Sequence, residues 1–247
     1  MELNFEKELD RLNPYQREAV LDESPACVVN ANVGSGKTTV LIAKIQYLHH
    51  IKGVGYEDMT VLTFTNKAAD EIKSRLLAAE PDLPADKLRG FGTFHSTALY
   101  YLREFLPVEN LDYTKEFLVI DPEEELELAY DLIRQHKLKI KYKNRLKKRL
   151  ESAMAVREEE KRVSKYQDDI FKLAGLLGEE KAKQDKMTFF DLLENANFLL
   201  KEEKQKSVSP KWVIVDEVQD SDTQQLVFMD LLISRGASLF AVGDPNQ

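Results

Sequence analysis

The sequence predicts an α/β fold, a parallel sheet flanked by helices and broken by a mainly helical insertion. Three observations predict it. Four short apolar runs, at residues 27–30, 59–65, 212–215 and 238–242, are rich in β-branched or aromatic residues and lack a helical period. Helical patterns lie between them, at 38–50, 67–79 and 223–234, and this alternation places helices over both faces of a parallel sheet. Between about Asn110 and Ser207 the alternation stops, and the chain is highly charged and mostly helical in pattern. Residues 1–109 and 208–247 therefore read as two parts of one α/β domain, with 110–207 as the insertion.

Each element has its own signal. The first run carries Cys27, Val28 and Val29, so a buried strand holding a buried thiol is expected. In the insertion, Leu126, Leu128, Ala129, Leu132 and Ile133 give one helix an apolar stripe. Phe189, Leu192, Leu193, Ala196, Leu199 and Leu200 give another. Gly175 and Gly178 are expected to flank a turn, and Ser207-Val-Ser-Pro210 reads as the loop that returns to the strand at Trp212.

Composition excludes several classes. The 247 residues suffice for one large domain or two small ones, and 43% hydrophobic content is ordinary for a globular chain. No apolar run approaches the roughly 18 residues of a membrane span, and Met1 to Asp10 lacks a signal-peptide core. A single cysteine rules out an internal disulfide framework, and no Cys/His cluster shows zinc spacing. A cytoplasmic setting without membrane attachment is the expectation. The net charge of −8 argues against a uniformly basic coat but not against local basic sites. One such site is 132–150, which carries nine Lys/Arg and no acid, directly after the acidic run of Glu123, Glu124, Glu125, Glu127 and Asp131. Two readings stay open for 134–149: a solvated face balancing the acidic helix, or a basic surface for a phosphate-bearing partner.

Two segments carry chemistry. Residues 31–39 read Ala-Asn-Val-Gly-Ser-Gly-Lys-Thr-Thr between a strand and a helix. Gly34 and Gly36 let backbone N–H groups turn toward phosphate oxygens, and the helix N-terminus adds its positive end. Lys37 would neutralise the β- and γ-phosphates, and the Thr38 hydroxyl would hold Mg2+. The general phosphate-loop pattern has glycine where this chain has Ala31. Residues 215–220 read Val-Asp-Glu-Val-Gln-Asp at the end of an apolar run. Asp216 then emerges at the C-terminal edge of a strand, where ligands sit in open α/β sheets. It can bind magnesium, and Glu217 can polarise an attacking water. The pair implies ATP or a related nucleoside triphosphate.

The chain resembles the N-terminal part of a UvrD/Rep/PcrA-type superfamily 1 DNA helicase, whose RecA-like fold matches the predicted sheet. Six segments match in order. Leu12-Asn-Pro-Tyr-Gln-Arg-Glu-Ala-Val20 resembles the Q motif, and Ala31 to Thr38 is motif I. Val61-Leu-Thr-Phe-Thr-Asn-Lys-Ala-Ala69 resembles motif Ia, and Gly92-Thr-Phe-His-Ser96 resembles the next DNA-contacting motif. Val215 to Asp220 is motif II, and Val242-Gly-Asp-Pro-Asn-Gln247 is the start of motif III. Met187-Thr-Phe-Phe-Asp-Leu-Leu193 resembles the family's segment shortly before motif II.

The resemblance implies roles residue by residue. Gln16 would read the adenine edge, and Ala31, Asn32, Val33, Gly34, Ser35, Gly36, Lys37, Thr38 and Thr39 would form the nucleotide loop. Phe64, Thr65, Asn66, Thr93, Phe94 and His95 would line a single-stranded DNA path, with Phe64 as a base-stacking ring. Gln247 would sense the γ-phosphate, and Asp220 would organise the site by hydrogen bonding. It also implies a duplex junction as substrate, 3′-to-5′ movement, and a second RecA-like domain supplying an arginine finger. Because that domain's motifs lie outside residues 1–247, these residues alone are expected to hydrolyse little ATP and to unwind nothing. The chain departs from the family at Asn32-Val33, where Gly-Ala is common, at Thr39, where an arginine stacks on adenine, and at Val218, where an aromatic is usual. Three other readings are weighed: a RecB/AddA-like helicase-nuclease or anti-phage motor, a DNA-binding module with an inactive phosphate loop, and a phosphate-loop kinase. The kinase is disfavoured because no substrate lid is apparent and the Gln-Asp ending of motif II is left unexplained.

Overall fold

The computed structural model describes residues 9–32, 35–154, 166–203 and 206–244. It divides into two compact units, Met1–Leu106 with Leu193–Gln247, and Pro107–Leu192. The first unit opens with α1 (Pro14–Leu21), β1 (Ala26–Asn30), α2 (Lys37–His50), β2 (Met59–Thr63), α3 (Asn66–Ala79), β3 (Phe91–Thr93) and α4 (Phe94–Glu104). The second holds β4 (Leu118–Ile120), α5 (Pro122–Gln135), α6 (Leu146–Met154), α7 (Ile170–Lys183) and β5 (Lys186–Thr188). The chain passes through α8 (Phe189–Glu202) back to β6 (Trp212–Asp216), α9 (Thr223–Ser234) and β7 (Ser238–Gly243). No helix among the described residues is long and apolar enough to cross a membrane.

In the first unit the strand order is β1-β7-β6-β2-β3, and every neighbouring pair is parallel. Central position explains burial: β2 is buried at all its residues, and β6 from Val213 onward. β1 lies at the edge, so its residues alternate between exposed and half-buried. Cys27 is accordingly half-buried, not buried as its apolar run suggested. The apolar run from 59 ends as a strand at Thr63, because Thr65 has turned to cap α3 and its hydroxyl accepts from Ala68 N at 3.1 Å. β3 is a three-residue strand with no alternation for a period argument to detect.

α2 is buried along Val40 to Leu48 and packs into a core with Val61, Ile72, Leu76, Ile214 and Phe240. Within that core lies Lys44, fully buried. Its ammonium donates to the Val20 carbonyl at 3.1 Å and to the Asp22 carbonyl, and it sits 5.0 Å from the centre of the Trp212 ring. Burial pulls its pKa down. The two carbonyls belong to the end of α1 and the turn into β1, so Lys44 ties those segments to α2.

The second unit has its own core, built from Ala129, Leu132 and Ile133 of α5, Leu146 and Leu150 of α6, and Leu173 and Leu177 of α7. Asp121 caps α5, accepting from Glu123 N at 2.8 Å and Glu124 N at 2.9 Å, and Glu123, Glu124 and Glu125 of the acidic run fall in the first turn, where the helix dipole favours them. Two expectations are corrected here. Gly175 and Gly178 lie inside α7, not at a turn, since the surrounding leucines, glutamates and lysines favour helix strongly enough to carry them. Phe189 is 60% exposed, outside the buried stripe of Leu192, Leu193, Ala196, Leu199 and Leu200. The unit is mainly helical, as expected, and also holds a two-stranded parallel sheet of β4 and β5.

The Met187-Thr-Phe-Phe-Asp segment resolves into a buried charge cluster. Asp191 accepts from Thr188 N at 2.7 Å and from the Thr188 hydroxyl at 2.9 Å. Lys181, 2% exposed, donates to Asp191 at 2.6 and 2.8 Å and to Glu125 at 3.0 Å. Burial opposes the lysine's charge, but Asp191 and Glu125 outweigh it and hold the pKa above the ordinary value. Lys181→Ala strands two carboxylates in a poorly hydrated site. It should cost about 3 kcal/mol, read as a lower urea midpoint at unchanged slope.

Candidate active site

The phosphate loop leaves the end of β1 and enters α2. Ala31 N donates to the Gly243 carbonyl at 2.9 Å, so the loop starts from β7 as well as from β1. Gly36 caps α2 in the left-handed region at φ 84°, and a Cβ there would lie 2.9 Å from Gln16 Nε2. The positive φ favours glycine, and its lack of a Cβ lets the Gln16 amide come this close. Gln16 donates from Nε2 to the Ser35 carbonyl at 2.8 Å. Its backbone N donates to Asn13 Oδ1 at 2.9 Å while its Oε1 accepts from Asn13 N at 3.0 Å, and Pro14 opens the helix. Gln16 is thus pinned to the loop by α1. Asn13, Tyr15, Gln16, Ala31, Asn32 and Lys37 help line a cavity of about 300 Å³ beside it. Val33, Gly34 and Gln247 lie outside the described residues.

The second half of the site comes from β6. Asp216 pairs in register with Val242, which brings the carboxylates to the strand end beside β7. Lys37 Nζ lies 2.6 Å from Glu217 Oε1 and 2.7 Å from Oε2, although 180 residues separate the two in sequence. Glu217 adopts the left-handed region at φ 54°, a conformation that costs a non-glycine residue and aims its side chain at Lys37. Gln219 then bridges: its Nε2 donates to Glu217 Oε2 at 2.9 Å, and its Oε1 accepts from Asp244 N at 3.0 Å. Gly243 is needed for that approach, since a Cβ would stand 2.6 Å from Gln219 Oε1.

The two carboxylates differ in environment. Asp216 is 7% exposed, and its Oδ1 has no hydrogen-bond partner among the described residues. Burial, reinforced by the neighbouring Glu217, raises its pKa above the ordinary carboxylate range. Burial pushes Glu217 the same way, but the hydrogen bond from Gln219 and the Lys37 ammonium outweigh it and lower its pKa. A buried, unpartnered carboxylate oxygen is costly unless a cation or donor completes it. Such an oxygen, with the Thr38 hydroxyl in the first turn of α2, is the hard oxygen set that magnesium takes.

The model of the UvrD/REP helicase N-terminal domain family matches residues 12–247. The chain belongs to this family. It is 31% identical over 96% of its length to the ATP-dependent DNA helicase Rep of Salmonella typhimurium, covering 36% of that protein. It is 30% identical over 97% of its length to the ATP-dependent DNA helicase UvrD1 of Mycobacterium bovis, covering 33%. To the ATP-dependent DNA helicase srs2 of Schizosaccharomyces pombe it is 29% identical over 96%, covering 29%. The chain thus spans about a third of the length of the curated relatives it matches.

In this UvrD/REP domain the segments after β2 and β3 lie side by side, because Thr63 pairs with Thr93. Thr65 caps α3 and Thr93 caps α4, the latter accepting from Ser96 N at 3.2 Å. Thr65 and Asn66 are exposed, and Thr93 and His95 are half-buried. Burial lowers the His95 pKa, partly opposed by Asp222. Phe64 is half-buried, with its ring centre 5.4 Å from that of Phe94. Phe94 itself is 1% exposed, so its ring supports Phe64 from the core side and is not a surface contact. Sequence reasoning also missed Asn13, Tyr15, Gln219 and Gly243. The first two flank Gln16 and were legible as a capping pattern. The last two act through a contact between motifs II and III that no local pattern encodes.

Gly36→Ala should destabilise the domain by about 1–2 kcal/mol through left-handed strain. It should also displace Gln16, so that nucleotide affinity falls together with the urea midpoint.

Proposed function

We propose that this domain binds ATP with Mg2+ and forms one wall of the motor of a DNA helicase that moves 3′-to-5′ on single-stranded DNA. The observation that carries the reading is the Lys37–Glu217 ion pair next to the unpartnered oxygen of Asp216. Tyr15, 83% exposed at the cavity, offers a face for the adenine ring, and Gln16 its edge contact, at a site where Thr39 provides no stacking arginine. Gly34, Ser35 and Gly36 would present N–H groups to phosphate, with Lys37 neutralising charge. Thr38 and Asp216 would hold magnesium, which when bound offsets phosphate charge and orients the γ-phosphoryl group. Glu217 would orient the attacking water and accept its proton. Gln247 is proposed as γ-phosphate sensor on the family resemblance.

DNA would run over the loops after β2 and β3, with Phe64 stacking on a base and Thr65, Asn66, Thr93 and His95 holding the backbone. The intact motor would close this wall against a second RecA-like domain carrying an arginine finger, so residues 1–247 alone should turn over slowly. A duplex junction would be the substrate, and a cytoplasmic setting belongs to the same proposal. In 134–149, Arg149 is committed to structure: it pairs with both oxygens of Asp168 at 2.8 Å. Lys143, Lys147 and Lys148 are exposed, as is Lys141, whose ammonium donates to the Tyr166 carbonyl at 2.9 Å, and these lysines are proposed to meet duplex phosphate.

Two substitutions separate this reading from an inactive DNA-binding module. Lys37→Ala should weaken ATP affinity about 10- to 100-fold, measured with a fluorescent nucleotide. Glu217→Gln should keep or strengthen nucleotide binding, because it releases Lys37, while lowering DNA-stimulated hydrolysis of the intact protein about 10²- to 10⁴-fold. Equal affinity in wild type and Lys37→Ala would sink the proposal.

The raised pKa of Asp216 has a pH consequence. A raised carboxylate is protonated at higher pH than usual, and magnesium needs the ionised form. Magnesium-dependent ATP affinity should therefore fall as pH drops toward and through the upper end of the carboxylate range, and rise again with pH. Asp216→Asn should weaken the magnesium contribution and flatten this profile, as titration calorimetry at several pH values would read.

A further inference from the structure

A second cluster of ligating side chains lies at the far end of α2, about 20 Å of helix from Lys37. α2 closes on His49 and His50, and Glu80 caps the end of α3. His50 Nε2 is 2.9 Å from Glu80 Oε1, and His49 Nε2 is 4.0 Å from Glu80 Oε2. One ligand atom from each residue falls within 4.8 Å of the others. We propose that His49, His50 and Glu80 bind a single divalent transition-metal ion of the zinc class.

Four observations carry this. The first is chemistry: two imidazoles and a carboxylate suit zinc, cobalt or nickel, whereas magnesium and calcium prefer all-oxygen sets. The second is spacing. Ligands of a tetrahedral zinc at 2.0–2.1 Å stand roughly 3.3 Å apart, and the separations of 2.9 and 4.0 Å straddle that value. The third is the ring nitrogen left available. His49 Nδ1 lies 2.9 Å from the Val54 carbonyl, which only accepts, so Nδ1 carries a proton and Nε2, on the Glu80 side, is the nitrogen a metal ion would take. The fourth is support around the ligands: Tyr56 donates to Glu80 Oε1 at 2.5 Å and stacks on the His49 ring at 4.0 Å. Side-chain exposures of 32, 12 and 15% for His49, His50 and Glu80 leave a path for the ion, and three protein ligands leave a fourth position for water. A bound ion would tie the far ends of α2 and α3, the helices whose near ends carry Lys37 and Thr65.

The competing account is a plain ion pair between protonated His50 and Glu80 at a helix C-terminus. Chelator-stripped protein separates the two. Zinc titrated by calorimetry should bind one ion per chain with a Kd of about 1 μM or tighter. Cobalt should give saturating four-coordinate absorption bands at one equivalent, and saturating zinc should raise Tm by about 5 °C. His50→Ala and Glu80→Gln should each weaken zinc at least about tenfold, and Tyr56→Phe about tenfold, while Lys37→Ala leaves it unchanged. Circular dichroism and cooperative unfolding verify that each variant folds. Absence of saturable cobalt bands in the wild-type chain overturns the proposal without any variant. Zinc binding of equal strength in folded His50→Ala and Glu80→Gln overturns it too, by placing the ion elsewhere.

Discussion

Parallel pairing of β1, β7 and β6 is the constraint on which the site depends. Parallel strands all end at one edge, so whatever follows each strand emerges beside its neighbours. Asn30 pairs with Gly243 and Asp216 pairs with Val242. Those registers set the phosphate loop, motif II and the start of motif III next to one another before any side chain contributes. A slip by one residue would turn every side chain of the slipped strand to the opposite face, and the apolar residues of buried β6 and β7 do not tolerate that.

On this frame a short relay of polar contacts finishes the geometry. Lys37 meets Glu217, Gln219 holds Glu217, and Gln219 also holds Asp244 N. Gly243 and Gly36 permit close approaches, to Gln219 and Gln16. The relay is not relaxed. Glu217 sits at positive φ, and Asp216 keeps a buried oxygen unpartnered among the described residues. Each is a local cost that the surrounding core must offset. Lys44 is part of that offset, because it fastens α1, and with it Gln16, to the helix that bears Lys37.

Much of this was legible in the sequence, for identifiable reasons. β6 and β7 are continuous apolar runs, and the helix signals of 38–50, 67–79 and 223–234 differ from the observed helices by no more than one residue at the start. Long buried strands and periodic helices announce themselves. The misses share a cause: tertiary context. β3, β4 and β5 are three-residue strands, stabilised by neighbours and not by their own pattern. β1 reads as buried but is an edge strand, a fact of strand order that no local window holds. Gly175 and Gly178 read as a turn because glycine punctuates chains, yet α7 outlasts them. Phe94 looked like a DNA contact by its motif, and only the packing against Phe64 shows which ring faces inward. The cluster of His49, His50 and Glu80 was invisible for the same reason, since its acid comes from a separate helix.

On the proposed reading, the Lys37–Glu217 pair would link nucleotide binding to readiness for chemistry. Lys37 is nearly buried, and its charge is matched by one carboxylate held at 2.6 Å. A phosphate that took Lys37 would compete with that carboxylate, and a triphosphate's several negative oxygens would make it the stronger partner. A displaced Glu217 would keep Gln219 as a donor, and so stay oriented while losing the cation that helps lower its pKa. Its basicity would then rise as an attacking water came to need a proton acceptor. Gln219 is bonded to Asp244 N, so movement of Glu217 would also be felt at the start of motif III. One exchange of ionic partners would thereby join phosphate arrival, base activation and a signal to the adjoining motif, with no requirement for the sheet to deform.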